Sequence, residues 1–476
     1  MSDDLALMTA TRMVKLYRSG ELSPVEATRA ALTRIERYNG VLKAFNLVAA
    51  EGALASAAEA EERWRLGAPR GPLDGVPVSV KDILLTKGWP TLRGSKAVSR
   101  DQEWREDAPA VARLREHGAV ILGKTTTPEF GWKGVTDSPL DGITRNPWNP
   151  AMTPGGSSGG AAAALAAGMG ALALGTDGGG SVRIPAGFTG IAGLKASFGR
   201  VPAWPLSPFG TLANIGPMAR SVTDTALLLN VMCEPDPRDA YSLPYDGADY
   251  LHGLDEGVEG LKIAYSATLG GHTVDPEVAA LVSKAVDVLA ELGAEVVEAT
   301  PDFKGAAEVF RKHWYAGAAN LLQHYDAQAQ AMMDPGLQEI GAEARRYSLL
   351  DYLGAVTRRE QMMIAANSFH RTYDLLVTPT LPIPAFEAGV EVPPGSGLAR
   401  WPDWTPFSYP FNLTQQPAAS VPCGLTAKGL PVGLQIVGAR YADALVLRAA
   451  RTFEKAMPWT FPDLERTLAR EPAPTR

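Results

Sequence analysis

The sequence predicts an α/β protein in which helices cover a β-sheet of parallel character. Three observations carry this prediction. Segments with apolar residues at helical spacing alternate with short apolar runs, the pattern of a sheet whose strands are joined by helices. A strand, helix and strand unit is clearest at residues 261–297. With 476 residues and 46% hydrophobic content, the chain is also long enough to bury a large core.

Each predicted element has a local signal. Ser23, Pro24 and Glu26 form a capping box with proline at the first helical position, which marks the start of a helix. The predicted elements in chain order are a first helix within residues 1–17, helices from 23 and over 50–66, a strand at 76–81, a helix at 107–117, a strand at 119–122, a helix from 161 and a strand to 174, a helix from 221, the unit 261–265, 275–292 and 295–297, helical sequence over 304–371, strands at 374–380, 418–422 and 432–437, and a helix over 441–456.

Composition and charge argue against several classes of protein. The net charge is −7 and no run of five like charges occurs, so nothing indicates binding to nucleic acid or to an anionic membrane. The first 17 residues lack the features of a signal peptide, which predicts a cytoplasmic protein. Cys233 and Cys423 are expected to be buried free thiols. The six histidines show no metal-binding spacing, so we expect no metal and no cofactor.

Two motif matches conflict with their surroundings. Residues 118–125 fit the phosphate-binding pattern GxxxxGK[ST], but the variable positions read AVIL and predict a buried strand. Residues 156–160 fit the nucleophile elbow GxSxG around Ser158, yet Pro154 and two glycines stand where a buried strand should enter. The histidine partner would have to be one of three residues predicted to lie on helix surfaces: His313, His324 and His370.

A pair of glycine-rich turns around an Ala/Leu block is more informative. Ser181 follows a predicted strand inside GTDGGGSVR, where several backbone N–H groups can converge on an oxyanion. The other turn carries Ser157 and Ser158. Lys81 ends an apolar strand, where burial lowers its pKa and allows it to act as a base for a serine. Singly, these residues are better explained as a lysine whose amine extends to solvent, N-cap serines and a turn serine. Only the family resemblance of the segments that carry them, described next, favours a joint catalytic site.

The segments VSVKD, PGGSSGGAAAA and GTDGGGSVRIPAGFTGIAGLK together resemble the amidase signature family of Ser-cisSer-Lys hydrolases. The resemblance continues through YDLLVTPT and FNLTQQPAASVPCG to GLPVGLQIVG, and so covers most of the chain. It implies the amidase signature fold, a single large domain over residues 1–476 with a mixed central sheet and helices on both faces. Within that domain we expect an N-terminal helical segment to about residue 70, a signature core to about 225 and a C-terminal part that shapes the substrate site.

The resemblance also implies a role for each matching residue. Ser181 would be the nucleophile, Ser157 a bridging serine after a cis peptide bond, and Lys81 the general base. Asp177 and Arg183 would form a buried pair that braces the nucleophile loop. The implied oxyanion donors are the amides of Gly178, Gly179, Gly180 and Ser181. Many members carry a larger apolar residue in place of Gly178, which predicts a more mobile loop here.

The predicted activity is hydrolysis of amides through a serine acyl-enzyme. Aromatic residues in the loops around the site favour small apolar or aryl amides, and esters, anilides or carbamates would share the chemistry. The candidate substrate-binding residues are Gly155, Gly156, Trp132, Trp204, Phe209 and Trp404. Three alternatives stay open: the glutaminase component of a tRNA-dependent amidotransferase, an α/β-hydrolase using Ser158 and a histidine, and a nucleotide-binding protein. The expected partner is a small-molecule amide, and a homodimer is compatible with the sequence.

Overall fold

A computed structural model describes residues 5–468, and a sheet of eleven strands runs through its centre. The strands are β1 (Phe45–Val48), β2 (Pro77–Lys81), β3 (Val120–Thr125), β4 (Asp137–Ser138), β5 (Gly142–Ile143), β6 (Leu172–Asp177), β7 (Ala192–Lys195), β8 (Asn214–Ala219), β9 (Lys262–Tyr265), β10 (Glu295–Glu298), β11 (Leu375–Pro379), β12 (Ala418–Leu425) and β13 (Pro431–Gly438). Strands β4 and β5 form a separate small hairpin.

Fifteen α-helices are described in residues 5–468. They are α1 (Ala10–Ser19), α2 (Pro24–Leu42), α3 (Ala50–Arg65), α4 (Pro109–Glu116), α5 (Gly159–Ala166), α6 (Arg183–Thr189), α7 (Val222–Met232), α8 (Pro276–Glu291), α9 (Ala306–Leu322), α10 (Ala327–Gln330), α11 (Pro335–Ala344), α12 (Leu349–Phe369), α13 (Pro410–Leu413), α14 (Asp443–Ala456) and α15 (Leu464–Leu468). The predicted capping box of α2 is present, with reciprocal hydrogen bonds between Ser23 and Glu26.

The sheet is mixed, with the strand order β1-β3-β2-β6-β8-β7-β12-β13-β11-β9-β10. Parallel pairs occur in two groups, β3-β2-β6 and β11-β9-β10. The strands between and beside these groups pair antiparallel. The parallel character inferred from alternating helices and strands therefore holds only locally, because the β12–β13 hairpin and β8 enter the sheet without a crossover helix.

The two faces of the sheet near the site carry side chains of different size. Val80 of β2 and Leu174 of β6 belong to the largest hydrophobic cluster, which also holds residues of α7, α8 and α14. Ala173 points to the opposite face and packs in a cluster with Ala161 of α5. Because side chains alternate along a strand, Lys81 follows Val80 on the face that α5 covers. The helix that begins after Ser157 and Ser158 thus lies over the end of the strand that carries Lys81.

Most helices begin and end within a few residues of the predicted positions, but three central-sheet strands were not predicted. These are β1, β7 and β8. The strand predicted to end at residue 174 extends to Asp177 and ends directly before the glycine loop. Within the described residues, no helix has both the length and the apolar character needed to cross a membrane.

Candidate active site

Lys81 is the last residue of β2 and is completely buried. Its Nζ lies 2.6 Å from Ser157 Oγ, 2.9 Å from Ser158 Oγ and 2.8 Å from Thr176 Oγ1. Burial lowers the pKa of Lys81 well below its ordinary value, and the more distant charge of Asp177 only partly opposes this. The amine is therefore surrounded by hydroxyl groups and is easily deprotonated.

The turn before α5 places the two serines. The peptide bond between Gly156 and Ser157 is cis. A side chain at Gly156 would lie 2.5 Å from the backbone of Val135, so only glycine fits this turn. Ser158 forms the N-cap of α5, and its Oγ exchanges hydrogen bonds with the backbone of Thr176 at 3.2 Å. Ser158 is therefore fixed by the end of β6, and Ser157 is left facing the cavity.

Ser181 ends the loop that follows β6 and lies in the wall of the same cavity as Ser157 and Thr176. Its carbonyl oxygen accepts a hydrogen bond of 3.1 Å from the N–H of Ser158, which ties the two serine turns together. Its side-chain oxygen has no hydrogen-bond partner among residues 5–468 and is free to meet a substrate. The structure thus brings Lys81, Ser157 and Ser181 to one place.

One of the four predicted oxyanion donors is already occupied. The N–H of Gly180 donates to Asp177 Oδ1 at 2.9 Å, because the loop folds back over that carboxylate. The N–H groups of Gly178, Gly179 and Ser181 have no acceptor within the described part of the chain. Gly180 therefore shapes the loop, and the other three amides are the available donors.

Asp177 and Arg183 form a fully buried ion pair beneath this loop. The guanidinium of Arg183 donates to both carboxylate oxygens of Asp177, at 2.9 and 3.0 Å. It also donates to Ser408 O, Asn412 Oδ1 and Gln435 Oε1 at 2.7–2.9 Å. Burial acts to raise the pKa of Asp177, but the charge and hydrogen bonds of Arg183 outweigh it and hold that pKa below its ordinary value. Every polar group of the pair therefore has a partner, as a buried ion pair requires.

A cavity of about 410 Å³ opens at the serines. Two of the predicted substrate-binding residues, Trp204 and Phe209, line it, and Phe209 stacks on Trp314, whose ring is 3.7 Å away. Sequence reasoning did not identify several lining residues: Ile83, Arg93, Phe130, Thr176, Trp314 and His324. Thr176 lies within the segment GTDGGGSVR, whereas most of the others come from distant segments that no local motif marks.

The other predicted substrate-binding residues do not line the cavity. Trp132 and Trp404 are at most 2% exposed and belong to a hydrophobic cluster beside the site, where Trp404 stacks on Phe188. Their bulk fits a core position, so aromatic content alone was misleading. Gly155 and Gly156 also lie behind Ser157, where they shape its turn.

The structure does not support either of the two competing motif assignments, the phosphate-binding loop at residues 118–125 and the nucleophile elbow at residues 156–160. Residues 120–125 form β3, and the buried Lys124 Nζ donates to Leu84 O and Thr91 Oγ1 at 2.6 and 2.9 Å, so it is not available to a phosphate. Ser158 is bound by Lys81 and Thr176, with no histidine beside it.

The three downstream histidines have different environments. His313 is buried in α9 and bonds to Val309 O, so its predicted surface position is wrong. His370 is half-buried and contacts Gln416, whereas His324 is exposed at the cavity. Both cysteines are free and buried, as predicted. Residues 5–468 contain no group of three or more side chains suited to a metal ion.

Comparison with known proteins gives a consistent class. The Amidase family model matches residues 26–447. The chain is 40% identical to an acylamidase of Rhodococcus erythropolis over 96% of this chain and 97% of that protein. It is 36% identical to a glutamyl-tRNA(Gln) amidotransferase component of Chloroflexus aurantiacus, over 96% and 98%. The crystal structure of a bacterial aryl acylamidase of the amidase signature family superimposes with a TM-score of 0.89 at 31% identity, covering 98% of this chain and 99% of that one.

The fold and these matches define an amidohydrolase. Within that class, the chain belongs to the amidase family, as its signature segments indicated. The prediction of a mixed sheet flanked by helices is confirmed.

Proposed function

We propose that the protein hydrolyses carboxylic amides through an acyl-enzyme on Ser181, with Ser157 and Lys81 as the proton relay. One observation carries this proposal. The buried Lys81 Nζ lies 2.6 Å from Ser157 Oγ, and Ser157 lines the same cavity as Ser181. A lysine with a lowered pKa beside a serine supplies the base that a second serine needs.

In the first half of the reaction, neutral Lys81 accepts the proton of Ser157, and Ser157 accepts that of Ser181. The Ser181 oxygen attacks the amide carbon, and the N–H groups of Gly178, Gly179 and Ser181 donate to the developing oxyanion. The proton then returns through Ser157 to the leaving nitrogen as the C–N bond breaks. Water, deprotonated by the same relay, hydrolyses the ester and releases the acid.

Ser158 and Thr176 are positioning residues for the base. Both hydroxyls lie within 2.9 Å of Lys81 Nζ, and together they hold the amine toward Ser157. Asp177 and Arg183 act indirectly, because they fix the loop whose amides face the cavity. This arrangement supports a histidine-free version of the serine triad.

The cavity supports an apolar or aryl acylamide as substrate. Phe130, Trp204, Phe209 and Trp314 supply aromatic surface to its wall. Similarity to an acylamidase and to an aryl acylamidase points the same way. Because the chain is also similar to amidotransferase components, glutamine is the alternative substrate. Glutamine and acyl anilides should be assayed with the isolated chain, and turnover of glutamine alone would favour that alternative.

Covalent labelling and substitution test the proposed roles. A fluorophosphonate probe should label Ser181, and Ser181→Ala should lose the label while Ser158→Ala keeps it. Lys81→Met should lower kcat for an anilide by at least about a thousandfold, because removal of a triad member has effects of that size. Circular dichroism would show whether the variants are folded. Recovery of the label on Ser158 would refute the assignment.

The remaining expectations from the sequence continue as proposals. We propose that the chain forms one folded domain and acts in the cytoplasm on a small-molecule amide, without nucleic acid. A homodimer is compatible with this activity, and sedimentation of the purified protein would determine its oligomeric state.

A further inference from the structure

The largely apolar cavity contains an arginine whose charge the triad does not use. Arg93 and Asp239 are the Asp, Glu, Lys or Arg residues in the described cavity wall. The carboxylate of Asp239 accepts hydrogen bonds from the N–H groups of Ala203 and Tyr241 at 2.9 and 2.8 Å, so it ties its own loop to the segment around Ala203. Arg93 forms no ion pair with any residue that the structure describes. The cavity therefore carries one positive charge with no protein counter-ion.

The backbone of Arg93 is fixed on both sides. The preceding N–H, of Leu92, donates to Asp82 Oδ2, and Asp82 directly follows Lys81. The carbonyl oxygen of Arg93 accepts a hydrogen bond of 2.8 Å from the N–H of Phe130, another residue of the cavity wall. Arg93 itself has a φ of 56°, a conformation that is uncommon for a residue with a side chain. The chain thus holds this residue in a defined place beside the end of β2, the strand that carries Lys81.

The guanidinium lies near the hydroxyl of Tyr325, whose pKa is raised by burial and by the charge of Glu129 and partly lowered again by Arg93. The carboxyl group of Glu129 accepts hydrogen bonds from the Ser95 hydroxyl and from the N–H of Asp334, and it forms no ion pair with Arg93 in the described part of the chain. The ring of Tyr325 packs against Phe130 at 5.7 Å. Asn320 and His324 line the same cavity and are exposed at its mouth. These groups can add hydrogen bonds to an anion that Arg93 attracts.

A half-buried guanidinium without a counter-ion is unfavourable, and a carboxylate can pair with it through two parallel hydrogen bonds. The net charge of −7 repels an anionic ligand overall. A local positive group such as Arg93 therefore matters more for binding one. We propose that the substrate of this amidase has an apolar body and a carboxylate remote from the scissile amide, and that Arg93 binds this carboxylate while Ser181 attacks the amide. This inference rests on the proposed function.

Two matched substrate pairs test the proposal and show which side of the amide carries the anion. In the first pair, adipic acid monoanilide is compared with hexananilide. In the second pair, N-hexanoyl-para-aminobenzoate is compared with N-hexanoyl-para-toluidine. In at least one pair, kcat/KM should be at least about tenfold higher for the carboxylate, a size consistent with a hydrogen-bonded ion pair. Arg93→Met should abolish that preference and leave the neutral substrate within about twofold of wild type.

The matched control is Arg100→Met, which removes the same charge from an exposed residue outside the cavity wall and should leave the preference intact. Arg93→Lys should retain part of the preference, because it keeps the charge but loses the two-point contact. A purely structural role of Arg93 would instead lower activity equally on both members of a pair. Equal rates within both wild-type pairs, or a preference that survives in Arg93→Met, would overturn the proposal.

A binding measurement separates this inference from the proposed function. Calorimetry with Ser181→Ala should show that the carboxylate compound binds at least about tenfold more tightly than its neutral partner, and that adding Arg93→Met removes the difference. If Arg93-dependent binding is seen but no amide is hydrolysed by wild type, the proposed activity is wrong and the anion site stands. If neutral anilides are hydrolysed but the carboxylate brings no advantage, only this inference is wrong.

Discussion

Lys81 has to be uncharged to act as a base, and its burial makes the charged form costly. In the unfolded chain this group titrates near its ordinary pKa of 10.5, whereas in the folded chain the pKa is much lower. Between these two values the unfolded state binds more protons, so the contribution of Lys81 to the free energy of unfolding rises with pH across that window. The proposed role of Lys81 therefore places in the core a group that reduces stability at neutral pH.

Lys81→Met removes this titration. Relative to wild type, the free energy of unfolding of Lys81→Met should be highest near neutral pH, and the difference should decrease as the pH approaches 10.5. Urea titrations of both proteins at several pH values from about 7 to 10 measure this slope. A difference that is constant with pH would contradict a neutral lysine in the folded protein.

Asp177 holds the loop that carries Ser181, because its carboxylate accepts hydrogen bonds from the N–H groups of Gly180 and Val182 and from Arg183. Asp177→Asn keeps the size of the side chain but leaves the guanidinium of Arg183 buried without its counter-charge. Loss of one partner of a buried pair typically costs about 3–5 kcal/mol, and we expect a loss of that size here. Asp255→Asn is the control, because this carboxylate pairs with Lys455 at the exposed surface and should change stability by less than about 1 kcal/mol. Comparable losses in both variants would argue against the bracing role.

At the scale of elements, the approach of α5 to the sheet depends on small residues. Every residue of α5 is buried, and a Cβ at Gly160 would lie 2.4–2.6 Å from the backbone and hydroxyl of Thr126. Gly160→Ala should therefore destabilise the protein by about 1–3 kcal/mol through overpacking. It should also lower kcat, because Ser157 lies three residues upstream on the same turn.

The matched control for that change is Gly52→Ala in α3. Gly52 is exposed, and nothing lies within 4 Å of the position of its Cβ. Alanine is the better helix former, so this variant should gain about 0.5–1 kcal/mol and keep full activity. Thermal unfolding and anilide hydrolysis of both variants provide the comparison. If Gly160→Ala behaved like the control, close packing of α5 could not be what positions the serines.

The strands that the sequence did not predict show where local patterns are insufficient. Residues 214–219 read NIGPMA, and Gly216 and Pro217 argue against a strand inside a sheet. The proline is tolerated because β7 pairs with β8 only at Met218 and Ala219, which leaves one side of Pro217 outside the ladder. Such a position is defined by the neighbouring strand and is not visible in the sequence of β8.

The same division between local and distant information applies to the site. Lys81, Ser157, Ser181 and the Asp177–Arg183 pair follow from segments whose pattern is strong. Arg93 and Trp314 do not, because they reach the cavity only through the packing of remote segments. Trp404 is aromatic, as a residue that contacts an apolar substrate would be, but its ring fills the core beside the site and does not reach the cavity. The sequence could therefore predict which residues meet at the serines, but it could not predict the shape of the cavity beside them.

At the scale of the whole molecule, the signature core and the C-terminal part meet in one continuous sheet. Strand β7 pairs with β12 over three residues at the centre of the strand order. Arg183 of the signature core donates across this junction to Ser408, Asn412 and Gln435. The loop that carries Ser181 is therefore braced by residues more than two hundred positions away in the chain.

This connection predicts that the two parts unfold together. Far-ultraviolet circular dichroism, tryptophan fluorescence and residual anilide hydrolysis should give coincident transitions in urea, because separation of the sheet at β7 and β12 would expose the buried Arg183 and its partners. Asn412→Ala, which removes one of the three C-terminal partners of Arg183, should lower the midpoint of all three curves by the same amount. An early loss of activity, with a separate later transition in circular dichroism, would show instead that the C-terminal part unfolds on its own and that the proposal of one domain is wrong.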